Sequence, residues 1–228
     1  RWNTVDDQSE LNQVALNAIL DNAAKSIRQR GEFHFVLSGG DTPRRIYQQL
    51  RFIHTNWSVW HIYFSDERCL LAGDQNLNSR MAGEAWLDHV PIPRNQLYEI
   101  PVELGASLAA YEYASTLRSV ETFDLTFLGL GEDGHTAGLF PGHEWGSEVG
   151  SPDTLAVFTA PKVPKHRVSM SAARLSRSRQ VIFLVSGESK HMVVAKWRRG
   201  NNIPAKAIMP TAGIDVLLES SLLVPLAI

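Results

Sequence analysis

The 228-residue chain contains one cysteine, Cys69. A lone thiol excludes an intrachain disulfide and a multi-cysteine zinc site, and it suits a reducing compartment. Nothing activating surrounds it, so a small, partly buried side chain is expected. Excess charge is also lacking: 22 Lys and Arg face 24 Asp and Glu, a formal net charge of -2. No global field gathers nucleic acid or a membrane surface, and any anion must be held by a local site. No apolar run approaches the roughly 18 residues of a membrane span, and the opening "RWNTVDDQSE" lacks the charged-then-apolar pattern of a leader. A cytoplasmic protein without nucleic-acid or membrane partners is therefore expected.

Several familiar motifs are missing as well. No H-E-x-x-H or other ligand spacing connects the eight histidines, so no metal is expected. Walker A spacing is absent, and there is no G-x-S-x-G elbow to support a Ser-His-Asp hydrolase. "GLGEDG" at 129 to 134 matches G-x-G-x-x-G formally. No acidic residue closes a well-placed next strand, so no dinucleotide cofactor follows.

What is present is a 44% hydrophobic chain, enough for a sizeable core, with no repeat, low-complexity tract or linker-like shift. Residues 1–228 are expected to form a single domain. Leu11, Val14, Ala15, Ala18, Ile19, Ala23 and Ile27 recur at helical spacing, with Ser9 placed to cap and Gly31 to stop the helix. "EFHFVLSGG" then reads as strand and glycine turn, and "TPRRIYQQL" as a helix with Pro43 in its first turn. The pattern returns in "WHIYFSDE" with "NSRMAGEAWLDHV", in "FDLTFLGLGEDGH", and in "RQVIFLVSGESKHMVVAKW". Apolar strands spaced by helices predict an α/β fold with a mostly parallel, doubly wound sheet, whose ligands bind beyond the carboxyl ends of the strands. Trp57, Trp60 and Trp86, in "NWSVWHIY" and "GEAWLDHV", are expected in the core or in loop packing.

Three stretches at those strand ends carry chemistry. "LSGGDTP" reads either as a plain tight turn or as an anion site, with Gly39 and Gly40 letting amides converge at a helix N-terminus, Thr42 adding a hydroxyl and Arg44 or Arg45 a charge. "SDER" places Asp66, Glu67 and Arg68 on the same edge, either as a solvated ion-pair cluster or as a site in which the guanidinium meets an oxyanion. Lys165, Arg167 and Lys190 add cations that singly read as surface charge. "LGLGEDGHTAGLFPG" packs five glycines around His135, a side chain suited to taking and returning a proton near neutrality.

"LSGGDTP", "FSDER", "NLNSRMA", "LGLGEDGHTAGLFPG", "KHRVSMS" and "SGESK" occur in the order and approximate spacing of the 6-phosphogluconolactonase family, within the wider glucosamine-6-phosphate isomerase/deaminase-like superfamily. The chain resembles that family from about residue 37 to "IPAKAIMP". The resemblance implies a three-layer α/β/α modified Rossmann-like domain. It also implies hydrolysis of 6-phospho-D-glucono-1,5-lactone to 6-phosphogluconate, the second step of the oxidative pentose phosphate pathway, without metal or organic cofactor. Carried over by motif, His135 is the general base and later acid, and Arg68 steadies the oxyanion or helps hold the substrate. Gly39, Gly40, Asp41 and Thr42 shape the pocket, and Arg167 and Lys190 grip the 6-phosphate. Asp66 and Asn78 support the site, while Asp133 and Gly134 fix the histidine. A monomer or weak homo-oligomer is expected, its partner a sugar-phosphate lactone.

Two positions depart from the family pattern. Asp41 stands where many relatives carry serine or threonine, and its carboxylate repels a phosphate unless it turns away or pairs with Arg44 or Arg45. Gly138 replaces a serine common in the H-T-A-S-L-F-P run. A glucosamine-6-phosphate isomerase or deaminase, the alternative within the superfamily, usually shows D-E-Y and H-I-A-F-N-E-P where this chain has "DER" and "HTAGLFP". The other alternative is a sugar-phosphate sensor without turnover. Such sensors normally carry a helix-turn-helix, and residues 1 to 36 offer one clear helix.

Overall fold

The computed structural model describes residues 1–224. In chain order the strands are β1 (Trp2–Val5), β2 (Phe33–Leu37), β3 (Trp60–Phe64), β4 (Asp66–Arg68), β5 (Leu97–Tyr98), β6 (Phe123–Gly129), β7 (Thr154–Val157), β8 (Arg167–Met170), β9 (Ser178–Val185) and β10 (Ile214–Glu219). The helices are α1 (Gln8–Arg30), α2 (Asp41–Leu50), α3 (Asn78–Ala85), α4 (Ala106–Leu117), α5 (Ala172–Ser176) and α6 (His191–Arg198). No helix among the described residues is long and apolar enough to cross a membrane.

The first helix follows its sequence pattern except at its start. Leu11, Ala15, Ile19 and Ala23 are buried as the spacing predicts, and Gly31 ends the helix at φ +86°. The N-cap is Asp7 rather than Ser9: its carboxylate accepts the N–H of Glu10 at 2.9 Å, while Glu10 accepts from the N–H of Asp6 at 2.6 Å. The segment "NSRMAGEAWLDHV" is helical only to Ala85, because Trp86 turns into the core. There its ring, with no exposure, packs on Tyr47, Trp57 and Trp60.

Seven strands form a sheet in the order β1-β10-β9-β6-β2-β3-β5, parallel at every pairing. It is flanked by helices in a three-layer α/β/α Rossmann-like arrangement. Register pairs Phe33 with Trp60 and Phe35 with Ile62, on the face where Phe35 meets Tyr47 of α2; Val36 and Tyr63 occupy the other. Three strands were not foreseen. β1 is mostly exposed and β5 has only two residues, so neither shows an apolar run, and β10 was not separated from its polar flanks. A second, antiparallel sheet, β4-β8-β7, was missed because its strands are three or four residues long.

The chain runs outward from β2 through β3 to β5, then returns to the other side of β2 as β6 before continuing to β9 and β10. Successive connections therefore diverge between β2 and β6. This reversal opens a crevice beyond the carboxyl ends of those two strands.

On the Tyr63 face, Glu32 reaches His34 Nε2 at 2.8 Å and His61 Nε2 at 3.5 Å, and the two imidazoles stack with centroids 4.8 Å apart. Burial holds His61 below the usual histidine range, helped by His34 and opposed by Glu32; the His34 hydrogen bond holds Glu32 below the usual carboxylate range. Both groups bind protons more weakly when folded than when unfolded. Their contribution is complete above about pH 6.5 and is lost as the pH falls, first through the histidine range and then the carboxylate range. Thermal midpoints are expected to drop between about pH 7.5 and pH 5.5, with a shallower slope in His61→Gln; an unchanged slope in the variant contradicts the assignment.

Candidate active site

The first wall of the crevice comes from the β2–α2 turn. The Tyr47 hydroxyl takes the Ser38 N–H and donates to the Ser38 carbonyl, both at 3.1 Å, and so fixes the strand end. A Cβ on Gly39 would lie 2.0 Å from Asn78 Oδ1, so this position is glycine because an amide from α3 packs on its backbone. Gly40, at φ +111°, precedes α2. Asp41 is exposed and is one of the residues that line the crevice. Thr42 also lines it, and its hydroxyl is 3.5 Å from Gln8 Nε2.

The small antiparallel sheet supplies the second wall. Its register sets Asp66 opposite Ser169 and Arg68 directly opposite Arg167. Neither arginine makes an ion pair among the described residues. Arg68 donates from Nη1 to the Asn76 carbonyl at 2.5 Å, and its buried Nε has no partner. Arg167, 6% exposed, donates from Nε to the Pro164 carbonyl at 3.2 Å and stands 5.5 Å from the Phe140 ring centre. Burial lowers its pKa, with Asp66 opposing and Arg68 adding to the shift. Like charges facing each other across a strand pair repel, and an anion between them relieves that repulsion. Asp66, 6% exposed, lines the same space, and Asn78 joins it to the first wall by donating to the Asp66 carbonyl at 2.9 Å.

His135 stands at the end of β6 in a turn closed by backbone bonds. Gly131 N–H donates to the His135 carbonyl at 2.7 Å, and Gly134, at φ +95°, donates to the Gly131 carbonyl at 2.9 Å. A Cβ on Gly131 would lie 2.0 Å from His135 Nδ1 and 2.6 Å from Asp133 Oδ1. The space it would fill is where the two side chains meet, 2.5 Å apart from Nδ1 to Oδ1. Burial alone would raise the Asp133 pKa, but the hydrogen bond and charge of His135 outweigh it and leave Asp133 below the usual range. A carboxylate only accepts, so Nδ1 carries a proton, and in the neutral imidazole Nε2 is the nitrogen with the open lone pair. Phe140 stacks on the imidazole at 5.0 Å.

The Gly138 departure has a local cause. Its N–H donates to Ser169 Oγ at 3.0 Å, and a Cβ there would lie 2.8 Å from Ser169 Cβ. The loop after His135 is thus pinned to β8, with room for no side chain.

Lys190, just beyond β9, completes the cation set expected from the sequence. Burial lowers its pKa, Glu132 opposes and Lys162 adds. Lys162, on the β7–β8 loop, lines the cleft and was missed; Lys165, singled out in sequence, is exposed and lies outside the lining. Nothing in "PKVPKHR" ranks one lysine over the other, since the path of the loop decides. The cleft is about 340 Å³. Asp133 and Gly134 do not line it; Asp133 acts on it through its bond to His135 and through its charge on Arg167 and Lys190. Cys69 is half-buried and free, and burial pushes its thiol up. Gly131→Ala is expected to break the Asp133–His135 contact with the fold intact. The downfield Nδ1–H resonance of His135 should disappear while the melting point moves by only about 2–4 °C, the shift of about 1 kcal/mol for a domain of this size; persistence of that resonance contradicts the geometry.

The family model for glucosamine-6-phosphate isomerases/6-phosphogluconolactonase matches residues 6–217. A 6-phosphogluconolactonase from Synechocystis is 35% identical over 90% of this chain and 89% of its own length, and a human protein is similar at nearly the same level. That human protein, the GDH/6PGL endoplasmic bifunctional protein, is 34% identical over 90% of this chain, which spans only 27% of it. The crystal structure of 6-phosphogluconolactonase from Thermotoga maritima superposes with a TM-score of 0.87 at 23% identity, covering 96% of this chain and 99% of that one. With the family model covering nearly the whole chain and the fold shared at this level, the chain belongs to the glucosamine-6-phosphate isomerase/6-phosphogluconolactonase family.

Proposed function

We propose that the protein is a 6-phosphogluconolactonase, hydrolysing 6-phospho-D-glucono-1,5-lactone to 6-phospho-D-gluconate in the oxidative pentose phosphate pathway of the cytoplasm. The carrying observation is the imidazole held by Asp133 at Nδ1, with its Nε2 free beside a cleft bordered by Arg68, Arg167 and Lys190. Nε2 takes a proton from water as the oxygen attacks the lactone carbonyl carbon. The resulting oxyanion is met by Arg68. When the bond to the ring oxygen breaks, the imidazolium returns the proton to that oxygen, leaving a free hydroxyl and a carboxylic acid that loses its own proton to solvent to become the carboxylate. Asp133 keeps the tautomer and stabilises the imidazolium without itself taking the proton.

The demands of the reaction fit this equipment. A strained δ-lactone hydrolyses slowly in water, so positioning, one base and local charge stabilisation suffice without a covalent nucleophile. Arg167, Lys190 and Lys162 serve as the grip on the 6-phosphate, a remote handle that holds the carbonyl against the base. The amides around Gly39, Gly40 and Thr42 extend that grip. The Asp41 carboxylate, a like charge, belongs with a sugar hydroxyl as acceptor.

One observation weighs against the isomerase or deaminase reading. Phe140 occupies the place of the glutamate in H-I-A-F-N-E-P, and its ring, with no exposure, covers one side of His135. A group for acid–base ring opening is replaced by an apolar plate.

The test is the rate of 6-phosphogluconolactone hydrolysis above background, with the lactone generated in place from glucose 6-phosphate. His135→Ala should lower turnover by about 100- to 10,000-fold, with phosphate affinity retained. Arg167→Ala and Lys190→Ala should act mainly on KM. Binding without any wild-type acceleration would move the assignment to a sensor, and turnover of glucosamine 6-phosphate would move it to the deaminases.

A further inference from the structure

Glu67 is the one member of the Asp-Glu-Arg triplet that does not line the cleft, and it is 1% exposed. Its carboxylate makes no ion pair among the described residues. It accepts three backbone N–H groups instead: Arg68 at 2.9 Å and Asn78 at 2.7 Å on Oε1, and Ser79 at 2.8 Å on Oε2. Asn78 and Ser79 open α3, whose N-cap residue, Leu77, offers no side-chain cap. The helix start is therefore capped by a carboxylate from β4, eleven residues before it. Burial pushes the carboxyl above its usual range against the pull of those N–H groups.

The same carboxylate is tied at both ends to the segment that holds Arg68. It holds the Arg68 backbone N–H directly, and Asn76, whose carbonyl receives the guanidinium, lies two residues before the capped Asn78. Asn78 in turn bonds the Asp66 carbonyl and packs on Gly39. We infer that Glu67 is a positioning residue that aims Arg68 into the cleft by tying β4 to the start of α3. The inference rests on the lactonase reading, in which Arg68 meets the oxyanion. Glutamine cannot replace it, because an amide keeps one acceptor oxygen and turns an NH₂ donor toward an N–H donor.

The experiment is a double-mutant cycle on lactone hydrolysis with Glu67→Gln and Arg68→Ala. Acting through Arg68, Glu67→Gln should lower kcat by about 10-fold or more with KM within about threefold, and should change the Arg68→Ala enzyme by less than about twofold. An equal loss in both backgrounds overturns the inference and leaves a structural cap. Wild-type kcat in Glu67→Gln overturns it too. If that variant does not fold, Glu67→Asp, which keeps the charge one methylene short, goes through the same cycle with the same criteria. A wild type without lactonase activity removes both readings, whereas an active wild type with an additive cycle removes only the role of Glu67.

Discussion

The site depends on one hydrogen bond, from His135 Nδ1 to the Asp133 carboxylate at 2.5 Å. Two residues apart in sequence, these side chains meet only because the chain folds back between Gly131 and His135, and the turn closes only because residue 131 has no side chain. The bond decides which ring nitrogen carries the proton, and so which one is free to accept another. The neighbouring glycines answer to other constraints. Gly134 makes the left-handed turn, and Gly138 lets the loop settle against Ser169.

That bond is useful because two sheets of different character meet there. The parallel sheet, through the divergence of its connections between β2 and β6, supplies the histidine and the glycine turn. The antiparallel sheet supplies the arginines in a register that sets two cations face to face. Polar groups join the sheets: Ser169 to the histidine loop, Asn78 to β4 and Gly39, and Glu67 from β4 to α3. Each sheet alone supplies only part of the cleft lining.

Much of this was legible in the sequence. Strand, glycine turn and helix recur with enough apolar periodicity to give the parallel sheet and the edge where function collects, and the resemblance then assigned roles to His135, Arg68, Arg167 and Lys190. The antiparallel sheet was not legible, since segments as short as "DER" and "RVSM" carry no period. With it went the facing of Arg68 and Arg167, which only register reveals. Lys162 was hidden by the path of its loop. Glu67 was visible as a charge in a charged triplet, but its burial under three amides was not. The reasons behind Gly39 and Gly131 were also out of reach, because each is set by a side chain that arrives from elsewhere or folds back.

The most direct measurement is a crystal structure of the complex with 6-phosphogluconate. The account predicts the C1 carboxylate beside His135 Nε2 and Arg68, with the phosphate against Arg167 and Lys190. A phosphate seated on His135, or product bound outside this cleft, would contradict it.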